Sequence, residues 1–171
     1  AMVGLYNVSN LLGVIAAMRA LGVSLHAAAH ACEGLSPVPG RLETLAVDGM
    51  PLVAIDYAHT PDALEKVLVA LRPVAQSRNG RLWCVFGCGG DRDASKRPLM
   101  AAVAQKNADL LLVTSDNPRS ESPAVVISQI LLGLTHSDAV YVEADRALAI
   151  SQAIREAHPA DVILIAGKGH E

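Results

Sequence analysis

The stretch that decides the fold of this chain is Phe86-Gly87-Cys88-Gly89-Gly90-Asp91-Arg92-Asp93-Ala94-Ser95-Lys96-Arg97-Pro98. The apolar run 82–86 that leads into it has the length and composition of a buried strand. Three glycines in four positions then permit a sharp turn and a close approach of backbone to ligand, although many strand-to-helix turns use glycine for geometry alone. Charged residues follow, and Ser95 is a candidate N-cap for the next helix. The stretch therefore predicts a strand, a turn and a helix around a site for a charged small molecule.

The composition predicts one compact domain without nucleic-acid chemistry. The chain has 171 residues, of which 51% are hydrophobic and 18% charged, as in ordinary globular domains. Aromatic residues make up only 3%, so the core must consist mostly of Ala, Val, Leu and Ile, and no aromatic platform for single-stranded nucleic acid is expected. The net charge of −3 gives no reason to expect a nucleic-acid partner.

The cysteines and the apolar runs predict a cytoplasmic protein. Three cysteines are present, and they include no CxxC pair, which is typical of reduced thiols in the cytosol. No apolar run reaches the ~18 residues of a membrane span, so we expect no membrane partner. His26 and His30 have the spacing of a zinc pair, but the glutamate of an HExxH pattern is missing, and we expect no metal site.

A regular alternation of strands and helices follows residue 51. Strands are predicted at 52–56, 82–86, 110–114, 139–142 and 162–166, and helices at 62–72, 96–106, 124–133 and 145–157. A run at 42–47 is joined to the first of these strands by Asp48-Gly49, which is a hairpin signal. The pattern predicts an α/β fold with a doubly wound, mostly parallel, Rossmann-like sheet.

Two predicted helices, at 5–21 and 24–32, precede this domain. The stretch 35–40 is rich in proline and breaks the pattern, so we expect a boundary there, with one unit at 1–37 and a second at 38–171. Asn7 and Asn10 lie one turn apart on the first helix. Two amides at that spacing hold a phosphate or form a solvated face, and by themselves the residues favour the solvated face.

Four loops of the α/β unit collect the unusual residues of the chain. They cover 56–61, 87–95, 115–121 and 167–171, each after a predicted strand. Right-handed crossovers keep the strands parallel, so these loops open on one edge of the sheet. Scattered solvated loops would not concentrate glycine, arginine, aspartate and histidine on a single edge. We therefore expect a binding crevice there.

The side chains of these loops suit a zwitterionic ligand. Arg92 lies between two aspartates, an alternation of sign that fits mixed charge better than a polyanion. Pro118 forces Asn117 into an extended form, and Arg119 offers a planar fork for a carboxylate. Asp116 offers an acceptor for an ammonium group.

Other loop residues have two interpretations or a supporting role. Asp56 stands at a strand end, where a carboxylate commonly holds ribose hydroxyls. His59 contacts a base or phosphate, or is a surface histidine, and the sequence favours neither. Glu171 is a second candidate partner for an ammonium group.

Several motifs together resemble one family, the Mur ligases of peptidoglycan synthesis. They are Gly4-Leu5-Tyr6-Asn7-Val8-Ser9-Asn10, Pro39-Gly40-Arg41-Leu42-Glu43, Asp56-Tyr57-Ala58-His59-Thr60-Pro61-Asp62-Ala63-Leu64, the Phe86 to Pro98 stretch, Asp116-Asn117-Pro118-Arg119 and Gly167 to Glu171. Their order and spacing resemble the members that add a diamino acid to UDP-N-acetylmuramoyl-L-alanyl-D-glutamate. The DNPR motif at 116–119 resembles the form that uses meso-diaminopimelate, and lysine-adding members differ there.

The resemblance implies two groups of binding residues. The diamino-acid site would comprise Arg92, Asp116, Asn117, Pro118, Arg119, Gly167 and Glu171. The ATP side would comprise Asn7, Asn10, Arg41, Asp56 and His59, with Arg41 at a phosphate and Asp56 at the ribose. It assigns no contact to Lys96 or Arg97, and it identifies no catalytic residue in this chain.

The resemblance also implies partners that this chain alone does not hold. Full-length members use ATP and Mg²⁺, and the phosphate loop GxxGKT, the carbamylated lysine and most magnesium ligands of the family are not found in this sequence. Residues 1–37 would be the end of the central ATP-binding domain, and 38–171 the C-terminal domain without its last segment. We therefore expect a monomeric ligase fragment that is inactive alone, with diaminopimelate, UDP-muramoyl dipeptide and ATP as substrates of the full-length enzyme.

Two other classes of function remain open at this point. A lysine-adding or folylpolyglutamate-type ligase of the same superfamily would share the fold, but the DNPR motif argues against both. A non-catalytic α/β binding module would explain the sheet-edge loops. It would leave Arg41, Asn7 and Asn10 without a role.

Overall fold

In the part of the chain that the computed structural model describes, residues 5–35 and 38–167, six strands form one sheet. The strands are β1 (Glu43–Leu45), β2 (Leu52–Asp56), β3 (Leu82–Phe86), β4 (Leu110–Val113), β5 (Val140–Val142) and β6 (Val162–Ala166). The sheet order is β1-β2-β6-β3-β4-β5, and only β1 runs antiparallel to its neighbour. The predicted mostly parallel α/β fold is confirmed.

Six helices accompany these strands within the described ranges. They are α1 (Leu5–Ala20), α2 (Leu25–Glu33), α3 (Pro61–Ser77), α4 (Lys96–Asn107), α5 (Pro123–Leu131) and α6 (Arg146–Glu156). Ser24 caps α2 and Thr60 caps α3, each accepting a hydrogen bond from the backbone N–H three residues on, as the sequence indicates. The starts of α2 and α3 therefore have a local chemical cause.

The last strand, β6, lies between β2 and β3. Its register pairs Ala166 with Asp56 of β2 and Ile165 with Val85 of β3, while Phe86 pairs with Val113 of β4. Because these strands are parallel and in register, their carboxyl ends lie side by side. The loops that follow them therefore share one edge of the sheet.

Strand residues alternate between two cores on opposite faces of the sheet. Leu82, Cys84 and Phe86 of β3 join the larger core, which α3, α4 and α5 cover. Trp83 and Val85 join the smaller core, which α6 covers. β4 and β6 alternate in the same way, so the central strands are buried on both sides, as parallel strands require. The helices lie on both faces, which confirms the doubly wound arrangement.

The first two helices pack against each other, and they bury little else. Among residues 7–35, Ala28 is the one that is fully buried, whereas Leu12 is 61% and Leu21 85% exposed. Large exposed apolar side chains on a helix pair suit a surface that another domain covers. None of the described helices is both long and apolar enough to cross a bilayer.

Two local predictions are wrong. Helix α3 does not end at residue 72 but continues through Pro73 to Ser77, because Leu71 and Ala75 are fully buried in the core and hold the last turns in place. Ser95 precedes α4, yet its side chain makes no capping hydrogen bond. Its hydroxyl instead donates to Asp93 Oδ1, a charged acceptor, at 2.5 Å.

Asp161 fastens the start of β6 to its surroundings. The side chain is 2% exposed and accepts hydrogen bonds from Arg81 N at 2.8 Å, Trp83 Nε1 at 2.9 Å and His158 N at 3.0 Å. Burial by itself raises the pKa of this carboxyl, but the hydrogen bonds outweigh burial and the pKa lies below its usual value. The carboxylate is therefore the form that stabilises the fold.

We expect Asp161→Ala to lower the free energy of unfolding by roughly 2–4 kcal/mol, because three donors lose a charged acceptor. Since the folded pKa is depressed, this stabilisation is present above about pH 4 and is lost as the pH falls further. Urea unfolding followed by Trp83 fluorescence measures it at several pH values. Asp138→Ala, at an exposed position, is the control. Equal stability of the two variants at pH 7 would contradict this account.

Candidate functional site

A cleft of about 520 Å³ lies at the carboxyl edge of the sheet, between the loops that follow β2, β3, β4 and β6. The loop after β3 (residues 87–95, the β3 loop) and the loop after β4 (residues 114–122, the β4 loop) supply most of its charges. Arg92, Lys96 and Arg119 line it with positive charge, and Asp93 and Asp116 with negative charge. A wall of mixed sign suits a zwitterionic small molecule, as the sequence predicts.

The structure brings most of the residues predicted for the amino-acid ligand into this cleft. Arg92, Asp116, Asn117, Arg119 and Gly167 all line it. Pro118 lies in the same loop, half-buried, and its carbonyl turns toward the β3 loop. Glu171 lies outside the described residues. The contacts of these side chains with a ligand stay predictions.

Residues predicted for the nucleotide form a second group beside the cleft. His59 lines the wall, and its Nδ1 donates to Tyr57 O at 2.8 Å. The Tyr57 ring lies 4.7 Å from the His59 ring, centroid to centroid, and the Arg41 guanidinium stands 5.3 Å from the Tyr57 centroid. A row of side chains thus leads from the exposed Arg41 to the cleft. The Arg41 side chain is exposed, so its guanidinium is accessible to an anionic ligand.

Asp56 holds the backbone at the end of β2. The side chain is 7% exposed; its Oδ2 accepts from Leu42 N and its Oδ1 from Ala58 N, both at 2.8 Å. Burial raises the pKa of this carboxyl, and the two hydrogen bonds oppose the rise. This brace was not predicted, and the ribose contact stays a prediction.

The two asparagines of α1 are not brought to the cleft. Asn7 is half-buried and Asn10 is exposed, and neither is among the described residues that line the cleft. Their predicted place on the ATP side remains untested.

The glycines of the β3 loop let two backbones touch. A Cβ on Gly90 would lie 1.8 Å from Pro118 O, and one on Gly87 would lie 2.5 Å from Thr114 O. Gly90 N donates to Asn117 O at 2.9 Å, so the two loops are joined directly. The glycine turn thus serves the packing of one loop on the other as well as any approach to a ligand.

The Asp-Asn-Pro-Arg stretch folds on itself and aims its arginine at the cleft. Asp116 Oδ1 accepts from Asn117 N at 2.8 Å, and Asn117 Oδ1 accepts from Arg119 N at 3.2 Å. Arg119 has a φ of +50°, an unusual value for a residue with a side chain, and its Nη1 donates to Gly90 O at 2.7 Å. Within residues 5–35 and 38–167 this is the one hydrogen bond of the guanidinium, which has five N–H donors in all.

Sequence reasoning left Arg97 without a role, and the structure gives it one. The side chain is 1% exposed. Its Nη1 donates to Glu121 Oε2 at 2.8 Å and its Nη2 to Glu121 Oε1 at 2.7 Å. Hydrogen bonds from Arg97, and then one from Asp91 N, lower the pKa of Glu121 to about 2. The burial was unpredictable, because charged residues in a first helical turn are usually solvated.

Sequence reasoning missed Arg146 altogether. Its Nη2 donates to Ala166 O at 2.9 Å and its Nη1 to Ser115 O at 3.5 Å, so it links the ends of β6 and β4. Burial lowers the pKa of this guanidinium, and the charge of Asp116 opposes the shift. The position of Arg146 at the start of α6 could have indicated such a role. A cation in the first turn of a helix interacts unfavourably with the helix dipole, so another interaction must stabilise it there.

Cys88 faces the cleft and is protonated. Burial raises its pKa to about 12, so at neutral pH the thiol is not a nucleophile. Among residues 5–35 and 38–167, no group of three or more His, Cys, Asp or Glu side chains is arranged to hold a metal ion. The chemistry that these residues offer is binding and orientation of charged groups.

Residues 40–169 match the family model described as Mur ligase, glutamate ligase domain. The chain belongs to the Mur ligase family. This confirms the family predicted from the motifs, and it overlaps the α/β unit that carries the cleft.

Several curated relatives of high identity share one name. The UDP-N-acetylmuramoyl-L-alanyl-D-glutamate–2,6-diaminopimelate ligase of Acidovorax sp. (strain JS42) is 67% identical over 99% of this chain and 34% of its own length. A solved structure of a ligase with the same name matches with a TM-score of 0.74 and 40% identity, over 99% of this chain and 34% of its own. The solved structure of the UDP-N-acetylmuramate-alanine ligase of Thermotoga maritima matches with a TM-score of 0.75 and 26% identity. The match covers 98% of this chain and 35% of that one. The chain spans about a third of the length of the curated relatives it matches.

We expect Gly90→Ala to lower the free energy of unfolding by about 1–3 kcal/mol, because the new methyl would overlap the Pro118 carbonyl and force the loops apart. Gly34→Ala is the matched control: no heavy atom lies within 4 Å of its Cβ position, and its φ of −88° suits alanine. That variant should be neutral or slightly more stable. Urea denaturation of both variants measures the difference, and equal stability would show that the two loops do not pack as described.

Proposed function

We propose that this chain is the C-terminal third of an ATP-dependent ligase that adds meso-diaminopimelate to UDP-N-acetylmuramoyl-L-alanyl-D-glutamate during peptidoglycan synthesis. The observation that carries the proposal is the cleft in which Arg119 stands among Arg92 and two carboxylates. The high identity to relatives named for this reaction supports the same substrate.

The charges of the cleft match those of the amino acid. Diaminopimelate carries an ammonium and a carboxylate at each end, so its binding site needs cations and anions in alternation. Arg119 and Arg92 would each receive a carboxylate, and the acidic Asp116 would receive an ammonium group. Lysine lacks the second carboxylate and would leave one guanidinium without its partner.

The nucleotide would lie beside the amino acid, along the row of side chains that ends at Arg41. ATP would activate the glutamate γ-carboxylate as an acyl phosphate. Arg41 offers an exposed cation for a phosphate oxygen, and His59 offers a ring at the cleft wall. Magnesium would be held mostly by residues outside this chain. The part of this chain is to hold the incoming amine in line, which is a matter of positioning and needs no nucleophile.

The chain would contribute to two domains of that ligase. Residues 1–37 would end the central ATP-binding domain, and 38–171 would form the amino-acid-binding domain. The exposed apolar side chains of α1 and α2, such as Leu12 and Leu21, fit helices that pack into a larger core. A cytoplasmic monomer is the expected form of the enzyme, since its nucleotide substrates occur in that compartment.

The proposal predicts that Arg119 reads the distal carboxylate. In the longer ligase that carries this chain, Arg119→Ala should lower kcat/KM for diaminopimelate by about ten- to a hundredfold, the value of one or two hydrogen bonds to a charged group. Arg119→Lys should recover only part of the loss, because an ammonium does not form two parallel bonds. Lysine, already a poor substrate, should change little.

Steady-state kinetics with both amino acids make the comparison. Arg155→Ala, at an exposed position in the last turn of α6, is the control and should behave as the unmodified enzyme. Equal losses for diaminopimelate and lysine would assign Arg119 to the common end of the amino acid or to the loop itself, and the specificity proposal would fail.

A further inference from the structure

The buried Arg97, which lies at the cleft wall, forms a cluster with the half-buried Glu121 and Gln129, which we call the Arg97 cluster. Arg97 Nη1 donates to Glu121 Oε2 at 2.8 Å and to Gln129 Oε1 at 2.5 Å. Its Nη2 donates to Glu121 Oε1 at 2.7 Å and to Gly89 O at 3.2 Å. One guanidinium therefore ties α4, the β3 loop, the β4 loop and α5 together.

The same cluster reaches the residues next to both cleft arginines. Glu121 Oε1 also accepts from Asp91 N at 2.6 Å, and Asp91 precedes Arg92. The Asp91 carboxylate accepts from Ser120 Oγ at 2.6 Å and from Ser120 N at 3.2 Å, and Ser120 follows Arg119. Arg92 thus follows Asp91, which Glu121 holds, and Arg119 precedes Ser120, which Asp91 holds in turn.

Two backbone conformations in these loops require such support. Asp91 has a φ of +52° and Arg119 a φ of +50°, in a region that side chains disfavour. Unusual backbone angles persist where surrounding contacts determine them. The hydrogen bonds of Asp91 with Ser120 and Glu121 connect the two positions.

The cost of burying the Arg97 guanidinium argues for a role beyond stability. Arg97 is 1% exposed, and within the described part of the chain its Nε has no hydrogen-bond partner. A buried ion pair is often replaceable by apolar residues without loss of stability, whereas an unpaired buried charge is costly. What apolar residues cannot replace is the fixed two-point geometry of a guanidinium on a carboxylate.

We propose that Arg97, through Glu121, is a positioning residue that sets the spacing of Arg92 and Arg119 for a ligand with two carboxylates. This inference rests on the proposed function. Arg97 acts on the binding of the diamino acid through the two loops. It does not affect the binding of ATP or of the muramoyl dipeptide.

The test uses the longer ligase with three variants: Arg97→Lys, Glu121→Gln, and the double variant Arg97→Met with Glu121→Gln. A displacement of the cleft arginines by about 1 Å should raise KM for diaminopimelate between about tenfold and a hundredfold in all three. We expect kcat at saturation to stay within about threefold and KM for ATP to stay unchanged, because the loss concerns ground-state binding.

The double variant separates positioning from stability. Glu121→Gln alone leaves the buried Arg97 charge with neutral acceptors and should lower the urea midpoint, whereas the double variant removes both charges and should restore it. KM for diaminopimelate should nevertheless stay high in the double variant. A KM that returns with the stability would show that the cluster only supports the fold, and would overturn the inference.

A second ion pair, between Arg72 and Asp109, provides the matched control. It joins the two side chains at 2.6 Å, and Arg72 Nη2 also donates to Asn107 O at 2.6 Å, but it lies outside the cleft. Arg72→Met should lower the urea midpoint without changing KM for diaminopimelate. If the unmodified enzyme does not use diaminopimelate, the proposed function fails. If it does and the Arg97 variants keep a normal KM, only this inference fails.

Discussion

The position of β6 between β2 and β3 is the constraint on which the rest of the structure depends. Parallel pairing on both sides brings the ends of four strands into register, from Asp56 through Ala166 and Phe86 to Val113. The central strands β3 and β6 are buried on both faces, so a slip by one residue would move every side chain into the core on the opposite face, which is packed for different side chains. This register determines the position of each charged loop that lines the cleft.

The loops add a second level of order that the sheet alone does not supply. Backbone contact at Gly90 and hydrogen bonds from Arg97 join the β3 loop to the β4 loop. Arg146 joins the ends of β6 and β4 behind them. Arg97 and Arg146 therefore hold the loops of the cleft together. The exposed cations and carboxylates of the same loops line the cleft and are accessible to a ligand.

Local patterns predicted the elements, and the tertiary structure decided the roles of several side chains. The strand 82–86 and the strand 162–166 were read correctly from apolar runs, and the glycine turn and the 116–119 loop were recognised as parts of one site. The burial of Arg97 could not be predicted from the sequence, because a cation in a first helical turn is usually solvated. Its burial results from contacts with α5 and the β4 loop, which are distant in sequence. Likewise, Asp56 looked like a free strand-end carboxylate, whereas its oxygens accept from Leu42 N and Ala58 N.

If the proposed function holds, this cleft selects a diamino acid with two carboxylates. The most direct measurement is phosphate release by the longer ligase with ATP, Mg²⁺, UDP-muramoyl dipeptide and one amino acid at a time, at equal concentrations of each amino acid. The account predicts rapid release with meso-diaminopimelate and release close to background with lysine, alanine or glutamate. Release with lysine or glutamate as fast as with meso-diaminopimelate would contradict it.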